Sequence, residues 1–254
     1  MLWLIFIVGA VRGLRNEVVV ALTREAGKND GLRRELEADG LRTVEVPCVA
    51  QTRDAAMEAA LDAALSSSWS WVVVTSPEAA KTLGDALDRS GCAAPRVATV
   101  GEATTSALPG DVFSAFSPSK ATAATLGAEL PGVPGDRVLY PASKLAAKTL
   151  EAALGARGFS VDRVDAYSTV PAEWTEIDRR RAREAHVVAF GSPSAVDVWV
   201  ARLGTTPRAA CIGHTTAAAC DAAGFYPQAR FPPKPGLKAW AAEISKLADD
   251  LAER

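Results

Sequence analysis

The chain has 254 residues, a length that suits two domains of ordinary size or one large domain. Its composition, 48% hydrophobic and 23% charged, is typical of a folded protein and argues against disorder. A formal net charge of -2 leaves no broad basic surface, which argues against binding to nucleic acid or to an anionic membrane. An anionic ligand would have to be bound by local groups.

The chain opens with the apolar segment MLWLIFIVGAV. A membrane-spanning helix needs about 20 such residues, so this segment is too short to cross a bilayer. It also lacks a preceding basic residue and a following A-x-A site, which makes it a poor secretory signal. We therefore place residues 1–16 outside the fold and expect no membrane span. Three interpretations of the segment stay open: the tail of a targeting segment, a membrane-associating end, or an incorrectly assigned start.

Short apolar runs alternate with helical patterns along the rest of the chain. Helical patterns such as GLRRELEADG, AAMEAALDAALSS and AAKTLEAALGARG fill the gaps between the runs. That alternation predicts an α/β protein with parallel sheets covered by helices on both faces. The runs predicted as strands are 17–22, 43–47, 71–76, 96–101, 137–141, 161–167, 186–190 and 209–213.

The order of the elements contains a repeat. The segment VVVALTREAGKNDGLRRELEADGLRTVEVP resembles DRVLYPASKLAAKTLEAALGARGFSVDRVD at an offset of 118 residues. VTSPEAA then resembles FGSPSAV at an offset of 116, and VGEATTSAL resembles IGHTTAAAC at an offset of 112. Similarity at roughly domain length indicates a duplication into two α/β units. Taken alone, the repeat would place a boundary near Pro134.

Polar residues follow the predicted strands where each strand leads into a helix, and we call these connections corners. Ligands of open α/β sheets bind at the carboxyl ends of the strands, where helix starts offer unpaired N–H groups and a positive dipole end. One such corner is more often ordinary helix capping, so the prediction rests on the whole set. The predicted binding residues for an acidic ligand are Thr75, Ser76, Gly101, Thr104, Ser119, Ser143, Lys144, Ser192, Gly213, Thr215 and Thr216.

Other kinds of site are disfavoured. The four cysteines contain no C-x-x-C pair and there are only two histidines, so we expect no metal site. Cys48 and Cys211 lie in apolar runs and are interpreted as buried thiols without disulfides. No G-x-G-x-x-G or phosphate loop is present, which argues against NAD and ATP. His186 and His214 are interpreted as structural, and RRRAR (179–183) as a solvent-facing helix side.

Seven segments, taken in their order along the chain, resemble uroporphyrinogen-III synthase over about residues 17–245. The forms SPSKAT, LYPAS and KPGL-x-x-W look most like the chloroplast-type enzymes of plants and algae. This resemblance implies a location in the chloroplast stroma, with the cytoplasm as the alternative. The segments are VVVTSPEAA, VATVGEATTSAL, FSPSKATAATLGAELP, VLYPASKLAAKTLEAALGARGFSVDRVDAYSTVP, VVAFGSPSAV, ACIGHTTAAA and PPKPGLKAW.

The resemblance implies a cofactor-free lyase that cyclises hydroxymethylbilane to uroporphyrinogen III, inverting ring D and losing water. This linear tetrapyrrole substrate bears eight carboxylates, which agrees with corners suited to acidic groups. The implied fold has two similar flavodoxin-like domains, connected by two crossovers, with a cleft between them. Domain 1 would comprise 17–50 plus 171–254 and domain 2 would comprise 51–170, in a chain that acts as a monomer.

Residue roles also follow from the resemblance. Tyr167, in the segment VDAYST, matches the family's proposed proton donor, and its alternative role is packing at the hinge between domains. Many members have Pro-Arg-Gly where this chain has Pro-Ala-Ser at 141–143, so an arginine is missing. Lys144 is a candidate replacement and Lys148 a second cation, unless both are ordinary solvated lysines. Gly191 stands where Thr or Ser is frequent.

The sequence leaves two rival functions beside this enzyme. The first is a two-domain small-molecule binding protein without catalysis, similar to periplasmic binding proteins; the chain shows no clear export signal to favour it. The second is a nucleotide-sugar transferase, which the absence of a diphosphate motif or D-x-D metal motif disfavours.

Overall fold

The computed structural model describes residues 17–93, 95–112, 114–234 and 236–253. Ten strands and ten helices lie in these ranges. The apolar segment 1–16, predicted to lie outside the fold, falls outside the described residues. None of the helices in the described ranges has the length and apolar character needed to cross a membrane.

The chain folds into two compact units. Unit 1 comprises the described residues up to Ala50 and from Val170 onward, and unit 2 comprises Gln51–Thr169. The chain passes from unit 1 to unit 2 within strand β3 and returns within strand β8. Pro134, where the repeat alone would place a boundary, lies inside unit 2.

Unit 1 has a four-stranded sheet of order β10-β9-β1-β2, in which all three neighbouring pairs are parallel. Alternate residues of β1 pack on opposite faces of the sheet, as strand geometry requires. Helices α7, α8 and α9 cover one face, and α1 and α10 cover the other. The elements are β1 (Val19–Leu22), β2 (Arg42–Glu45), β9 (Val187–Phe190), β10 (Arg208–Cys211), α1 (Asp30–Ala38), α7 (Glu176–Arg183), α8 (Pro193–Leu203), α9 (His214–Ala223) and α10 (Leu237–Ala252).

Unit 2 has a six-stranded sheet of order β3-β8-β7-β4-β5-β6. Helices α2 and α3 pack on one face, and α5 and α6 on the other. Each fully buried Val or Leu in these layers stabilises the fold by about 1.5–3 kcal/mol. The elements are β3 (Val49–Thr52), β4 (Trp71–Val74), β5 (Val97–Thr99), β6 (Ser114–Phe116), β7 (Arg137–Ser143), β8 (Ser160–Pro171), α2 (Ala55–Leu65), α3 (Pro77–Ser90), α4 (Glu102–Thr105), α5 (Ala123–Glu129) and α6 (Thr149–Gly155).

The repeat in the sequence is also a repeat in the two sheets. The offsets pair β1, β2, β9 and β10 with β7, β8, β4 and β5. The order β2-β1-β9-β10 in unit 1 therefore corresponds to β8-β7-β4-β5 in unit 2. Because these strands are parallel, their carboxyl ends lie at one edge of each sheet, which we call the carboxyl edge.

The predicted α/β class with parallel sheets is confirmed, and two strands were missed. Strands such as β4 and β9 are buried along their whole length, which explains their continuous apolar runs. In contrast, β3 is only partly buried, and β6 has three residues with one exposed. Strand β8 continues to Pro171, four residues beyond the predicted end, and the added residues are half-buried or exposed.

Candidate functional site

Two helices begin alike, after the carboxyl ends of β4 and β9. Ser76 is the N-cap of α3, and its Oγ accepts a hydrogen bond from the N–H of Ala79 at 3.0 Å. Ser192 is the N-cap of α8, and its Oγ accepts from the N–H of Ala195 at 3.3 Å. Each serine is followed by a proline in the first helical turn. Each hydroxyl therefore uses one of the N–H groups that an acidic ligand could otherwise bind.

The glycine corners differ, because no side chain of the described residues caps their helices. Gly213 is the N-cap of α9, and Gly101 is the N-cap of the four-residue helix α4. Thr215 is exposed in the first turn of α9, whereas Thr216 is only 3% exposed. Thr104 is 2% exposed, so it and Thr216 are not surface hydroxyls. The start of α9 thus keeps the first N–H groups of its helix available to a ligand.

The corner after β4 contacts two tyrosines from neighbouring strands. The Oη of Tyr167, on β8, lies 2.8 Å from the Oγ of Ser76. The Oη of Tyr140, on β7, lies 3.0 Å from the Oγ1 of Thr75. The two phenols are almost fully buried, with 6% of Tyr167 and 2% of Tyr140 exposed. Burial raises the pKa of the Tyr140 phenol above its usual value, so this group is protonated at neutral pH.

The prediction of a helix start at Ser143 and Lys144 is wrong. Strand β7 continues to Ser143, and α6 begins only at Thr149. The guanidinium of Arg163 donates to the carbonyls of Ser143 at 2.8 Å and Ala146 at 3.0 Å, which holds this segment in an open turn. The Oγ of Ser143 accepts from the next N–H but one, at 3.3 Å, and is part of that turn.

Ser119 was also wrongly placed at a helix start. Helix α5 begins at Ala123, and its N-cap is Thr122. The backbone N–H of Ser119 donates to the carboxylate of Glu129 at 2.7 Å, and its hydroxyl donates to the same group. These hydrogen bonds, first from the hydroxyl and then from the backbone, lower the pKa of Glu129. An acidic side chain of the protein thus occupies the donors expected to bind a ligand.

Lys144 and Lys148 line a cavity of about 730 Å³ within unit 2. Arg163, Asp54 and Asp165 also line it, and apolar side chains from α2, the turn after β7 and β8 form the rest of the lining. The two lysines lie on the turn after β7, next to the segment 141–143, where the resemblance leads us to expect an arginine. The structure thus places cations near that position without a helix start.

Sequence reasoning missed a cluster of hydroxyls at the carboxyl end of β5. Thr99 is fully buried, and its Oγ1 lies 2.6 Å from Thr105 Oγ1, 3.0 Å from Ser114 Oγ and 2.8 Å from Ser117 Oγ. The cluster connects α4 to β6 and to the loop that contains Ser119. Its only signal in the sequence is a threonine at the end of an apolar run.

A second missed group follows β1 in unit 1. Arg24 is partly buried, and its Nη1 donates to the carbonyl of Lys28 at 2.7 Å. Asn29 is fully buried and its Nδ2 donates to Glu45 at 2.7 Å. The offset of 118 residues pairs Arg24 with Ala142, inside a predicted corner, and could have drawn attention to it.

The two histidines and Cys48 have structural contacts. The Nδ1 of His186 accepts from the N–H of Val19 at 3.2 Å, and the ring of His214 packs edge-on against Phe231 with centroids 5.8 Å apart. Cys48 is buried as predicted, and burial raises the pKa of its thiol to about 12. Within the described ranges, no group of three His, Cys, Asp or Glu residues could hold a metal ion.

Comparison with known proteins identifies the family. The family model of uroporphyrinogen-III synthase HemD matches residues 30–242. The chloroplastic uroporphyrinogen-III synthase of Oryza sativa subsp. japonica is 33% identical over 239 residues, which cover 89% of this chain and 79% of the rice protein. The chain belongs to the uroporphyrinogen-III synthase family.

Solved structures of this family have the same fold. A mutant uroporphyrinogen III synthase from the bacterium Thermus thermophilus matches with a TM-score of 0.57 and 19% identity, covering 92% of this chain and 99% of the Thermus chain. The uroporphyrinogen-III synthetase of Helicobacter pylori 26695 matches with a TM-score of 0.58 and 15% identity, covering 91% of this chain and 99% of the Helicobacter chain. Both support the two-domain α/β architecture.

Membership of the uroporphyrinogen-III synthase family makes the chain an enzyme of tetrapyrrole biosynthesis, a lyase. The family's substrate is a tetrapyrrole. These matches favour the enzyme over both rivals, the non-catalytic binding protein and the nucleotide-sugar transferase.

Proposed function

We propose that the chain cyclises hydroxymethylbilane to uroporphyrinogen III, with inversion of ring D and loss of water. The observation that carries this proposal is the match of the family model over residues 30–242. Corners rich in Ser, Thr and Gly at the carboxyl edges of both sheets support it, since the substrate bears eight carboxylates. No broad basic surface is needed, because each helix start can bind a carboxylate locally.

The start of α9 is the strongest candidate for such a carboxylate. Its first N–H groups belong to His214, Thr215 and Thr216, and no side chain of the described chain caps the helix. A carboxylate at a helix N-terminus is stabilised by about 0.3–1 kcal/mol when exposed and by up to about 2 kcal/mol when partly buried. At α3 and α8 the serine hydroxyls remain as donors, while one N–H of each helix is already bound.

The chemistry rests largely on the substrate itself. An electron-rich pyrrole expels the hydroxyl group to give an azafulvene, which is an electrophile. The substituted carbon of ring D then forms a bond to the azafulvene carbon. A spiro intermediate then reopens to the inverted isomer. The protein has to hold the linear tetrapyrrole in a folded shape and to protonate the leaving hydroxyl.

We propose that Tyr167 supplies this proton with the help of Ser76. An ordinary phenol has a pKa of about 10 and is a hydrogen-bond donor at neutral pH. Because Tyr167 is buried and its Oη lies 2.8 Å from Ser76 Oγ, the proton passes by way of the serine hydroxyl. Ser76 gives its proton to the departing hydroxyl, which leaves as water, and takes the phenol's proton. The proton that the substrate loses on ring closure restores the phenol.

The proposed setting is a monomer in the chloroplast stroma, with the cytoplasm as the alternative. The rice relative is named chloroplastic, which supports the plastid. Light scattering on the purified chain tests the monomer, for which we expect a mass near 26.5 kDa. A fluorescent fusion of the full chain in plant or algal cells tests the plastid.

The isomer ratio of the product tests the proposed reaction. Hydroxymethylbilane closes spontaneously to the non-inverted isomer I. The chain is incubated with the substrate, the products are oxidised to porphyrins, and the isomers are separated, with heat-denatured chain as control. We expect isomer III to predominate with the native chain. An unchanged excess of isomer I would exclude the synthase reaction.

A further inference from the structure

Arg24 lies at the carboxyl edge of unit 1, directly after β1 and Thr23. Its Nη1 donates to the carbonyl of Lys28 at 2.7 Å. Among the described residues, the guanidinium has no ion-pair partner. Arg163 of unit 2 differs, since it pairs with Glu151 at 3.0 Å and with Asp165 at 3.3 Å. Arg24 is therefore a partly buried cation whose charge no carboxylate of the described chain neutralises.

Hydrogen bonds from Asn29 and Thr23 hold the loop that carries Arg24 in place. The Nδ2 of the fully buried Asn29 donates to the carbonyl of Arg24 at 3.2 Å, to that of Glu25 at 3.4 Å and to the carboxylate of Glu45 at 2.7 Å. The hydroxyl of Thr23 donates to the carbonyl of Ala189 on β9 at 2.6 Å. These contacts fix the backbone at Arg24, so ordering the loop on ligand binding costs little.

Gly191 gives the Arg24 side chain its space. A Cβ built at Gly191 would lie 2.9 Å from the Cγ of Arg24, closer than carbon atoms approach without a shift. Gly191 does not have a positive φ, so the glycine is needed for space and not for its backbone conformation. The stem of Arg24 thus crosses the chain one residue before Ser192, the N-cap of α8.

We infer that Arg24 binds a carboxylate of the substrate at the carboxyl edge of unit 1, and that Gly191 makes room for it. This inference rests on the proposed function and names a cation for its substrate. A planar guanidinium fits a carboxylate with two parallel hydrogen bonds, and one bond to Lys28 leaves further donors free. The resemblance leads us to expect a Thr or Ser hydroxyl at position 191. With Gly191 in its place, that hydroxyl donor is lost and the stronger donor, the guanidinium of Arg24, gains space. In unit 2 the position equivalent to Arg24 is Ala142.

Steady-state kinetics of isomer III formation test the role of Arg24. We expect Arg24→Ala to raise KM by about 10- to 100-fold, the loss of a hydrogen-bonded charge pair, with kcat changed much less. Arg24→Lys keeps the charge without the planar guanidinium, so its KM should lie between those of the unmodified chain and Arg24→Ala. The matched control is Arg34→Ala, which removes the same charge from an exposed position on α1 and should leave KM unchanged.

A double-mutant cycle with Gly191→Ala separates binding through Arg24 from a general effect on the fold. In the chain with Arg24, the new methyl group displaces the arginine stem and KM rises. In the Arg24→Ala background the methyl meets nothing at 2.9 Å, so Gly191→Ala should add no further rise in KM. If Arg24→Ala does not fold, as judged by thermal unfolding, Arg24→Lys replaces it in the comparison of KM with Arg34→Ala.

The outcomes distinguish this inference from the proposed function. If the chain forms isomer III but Arg24→Ala has the KM of Arg34→Ala, the arginine only staples its loop and the inference is wrong. Equal rises in KM from Gly191→Ala in both backgrounds would also overturn it. If the unmodified chain does not favour isomer III at all, the proposed function itself fails.

Discussion

The two units share one strand order but differ in the chemistry at their carboxyl edges. In unit 2 the corner after β4 contacts two buried phenols, Tyr140 and Tyr167. In unit 1 the hydroxyl of the corresponding Ser192 bonds to Ser194 and to its own helix, and an arginine follows the neighbouring strand. The duplication has therefore preserved the backbone and the caps, while the side chains have diverged.

This difference suggests that unit 2 supplies proton transfer and that unit 1 binds carboxylates of the substrate. In unit 2 the phenol of Tyr167 on β8 lies against the hydroxyl of Ser76 after β4, which suits proton transfer. In unit 1 no side chain of the described residues caps α9, and Arg24 after β1 has no acidic partner among them, which suits binding of carboxylates. Four sets of substitutions test this difference between the units, beginning with the one that should change activity most.

Tyr167→Phe should have the largest effect. Loss of a general acid lowers the rate by about 10²-fold or more, so kcat for isomer III should fall while KM changes little. The phenyl ring fills the same buried space, which preserves the fold. Tyr140→Phe is the matched control, since it removes the other buried phenol of the same sheet and should keep kcat. If both variants keep the kcat of the unmodified chain, neither phenol is the proton source.

Thr99→Val tests the hydroxyl cluster in unit 2 against its counterpart in unit 1. The variant removes three hydrogen bonds that meet at the fully buried hydroxyl of Thr99, which should lower the free energy of unfolding by about 1–3 kcal/mol. The offset of 112 residues pairs Thr99 with Cys211, whose Sγ lies 3.5 Å from that of Cys220. Thiols are weak hydrogen-bond partners, so Cys211→Val should cost less. Denaturant unfolding measures both, and equal losses would argue against the cluster.

Ser76→Ala and Ser192→Ala compare the two caps directly. Each should lower the free energy of unfolding by about 1 kcal/mol, because each removes an N-cap hydrogen bond. Only Ser76→Ala should also lower kcat, since the hydroxyl of Ser76 lies against the phenol of Tyr167. A matching fall in kcat for Ser192→Ala would contradict the assignment of proton transfer to unit 2.

Tyr140→Phe removes one hydrogen bond to Thr75 at every pH and should have a further effect on the stability of the protein at alkaline pH. Burial raises the pKa of this phenol, so the folded chain keeps its proton at a pH where the unfolded chain has lost it. Its contribution to stability is complete below the ordinary pKa of about 10 and is lost as pH rises through the raised value. Unfolding followed from about pH 8 to 11 should show a shallower alkaline decline in the variant; an unchanged slope would contradict the burial effect.

The sequence predicted the parts of this molecule that depend on local chemistry. WVVV and VVAF were recognised as strands because they are continuous apolar runs, and in the structure all four residues of each are buried. Both Ser-Pro corners are helix caps, as their residues indicate. The order of the repeat correctly anticipated two α/β units.

Contacts between distant residues could not be predicted in this way. Ser143 failed as a helix start because Arg163, 20 residues later, bonds to its carbonyl. The partner of Thr75 is 65 residues away, and that of Ser76 is 91 residues away. The contact between Arg24 and Gly191 likewise exists only because β1 and β9 are neighbours in the sheet. A sequence shows which residues can form a corner and not which strand will lie beside it.

In the proposed complex, main-chain amides at helix starts bind the carboxylates of the substrate. Amide NMR of the ¹⁵N-labelled chain, titrated with uroporphyrinogen III under anaerobic conditions, tests it most directly. The amides of His214, Thr215 and Thr216 should shift strongly, because no side chain of the described residues caps α9. Those of Ala79 and Ala195 should shift less, since a serine hydroxyl already binds each of them. Shifts elsewhere in the chain, with none at the start of α9, would contradict the account.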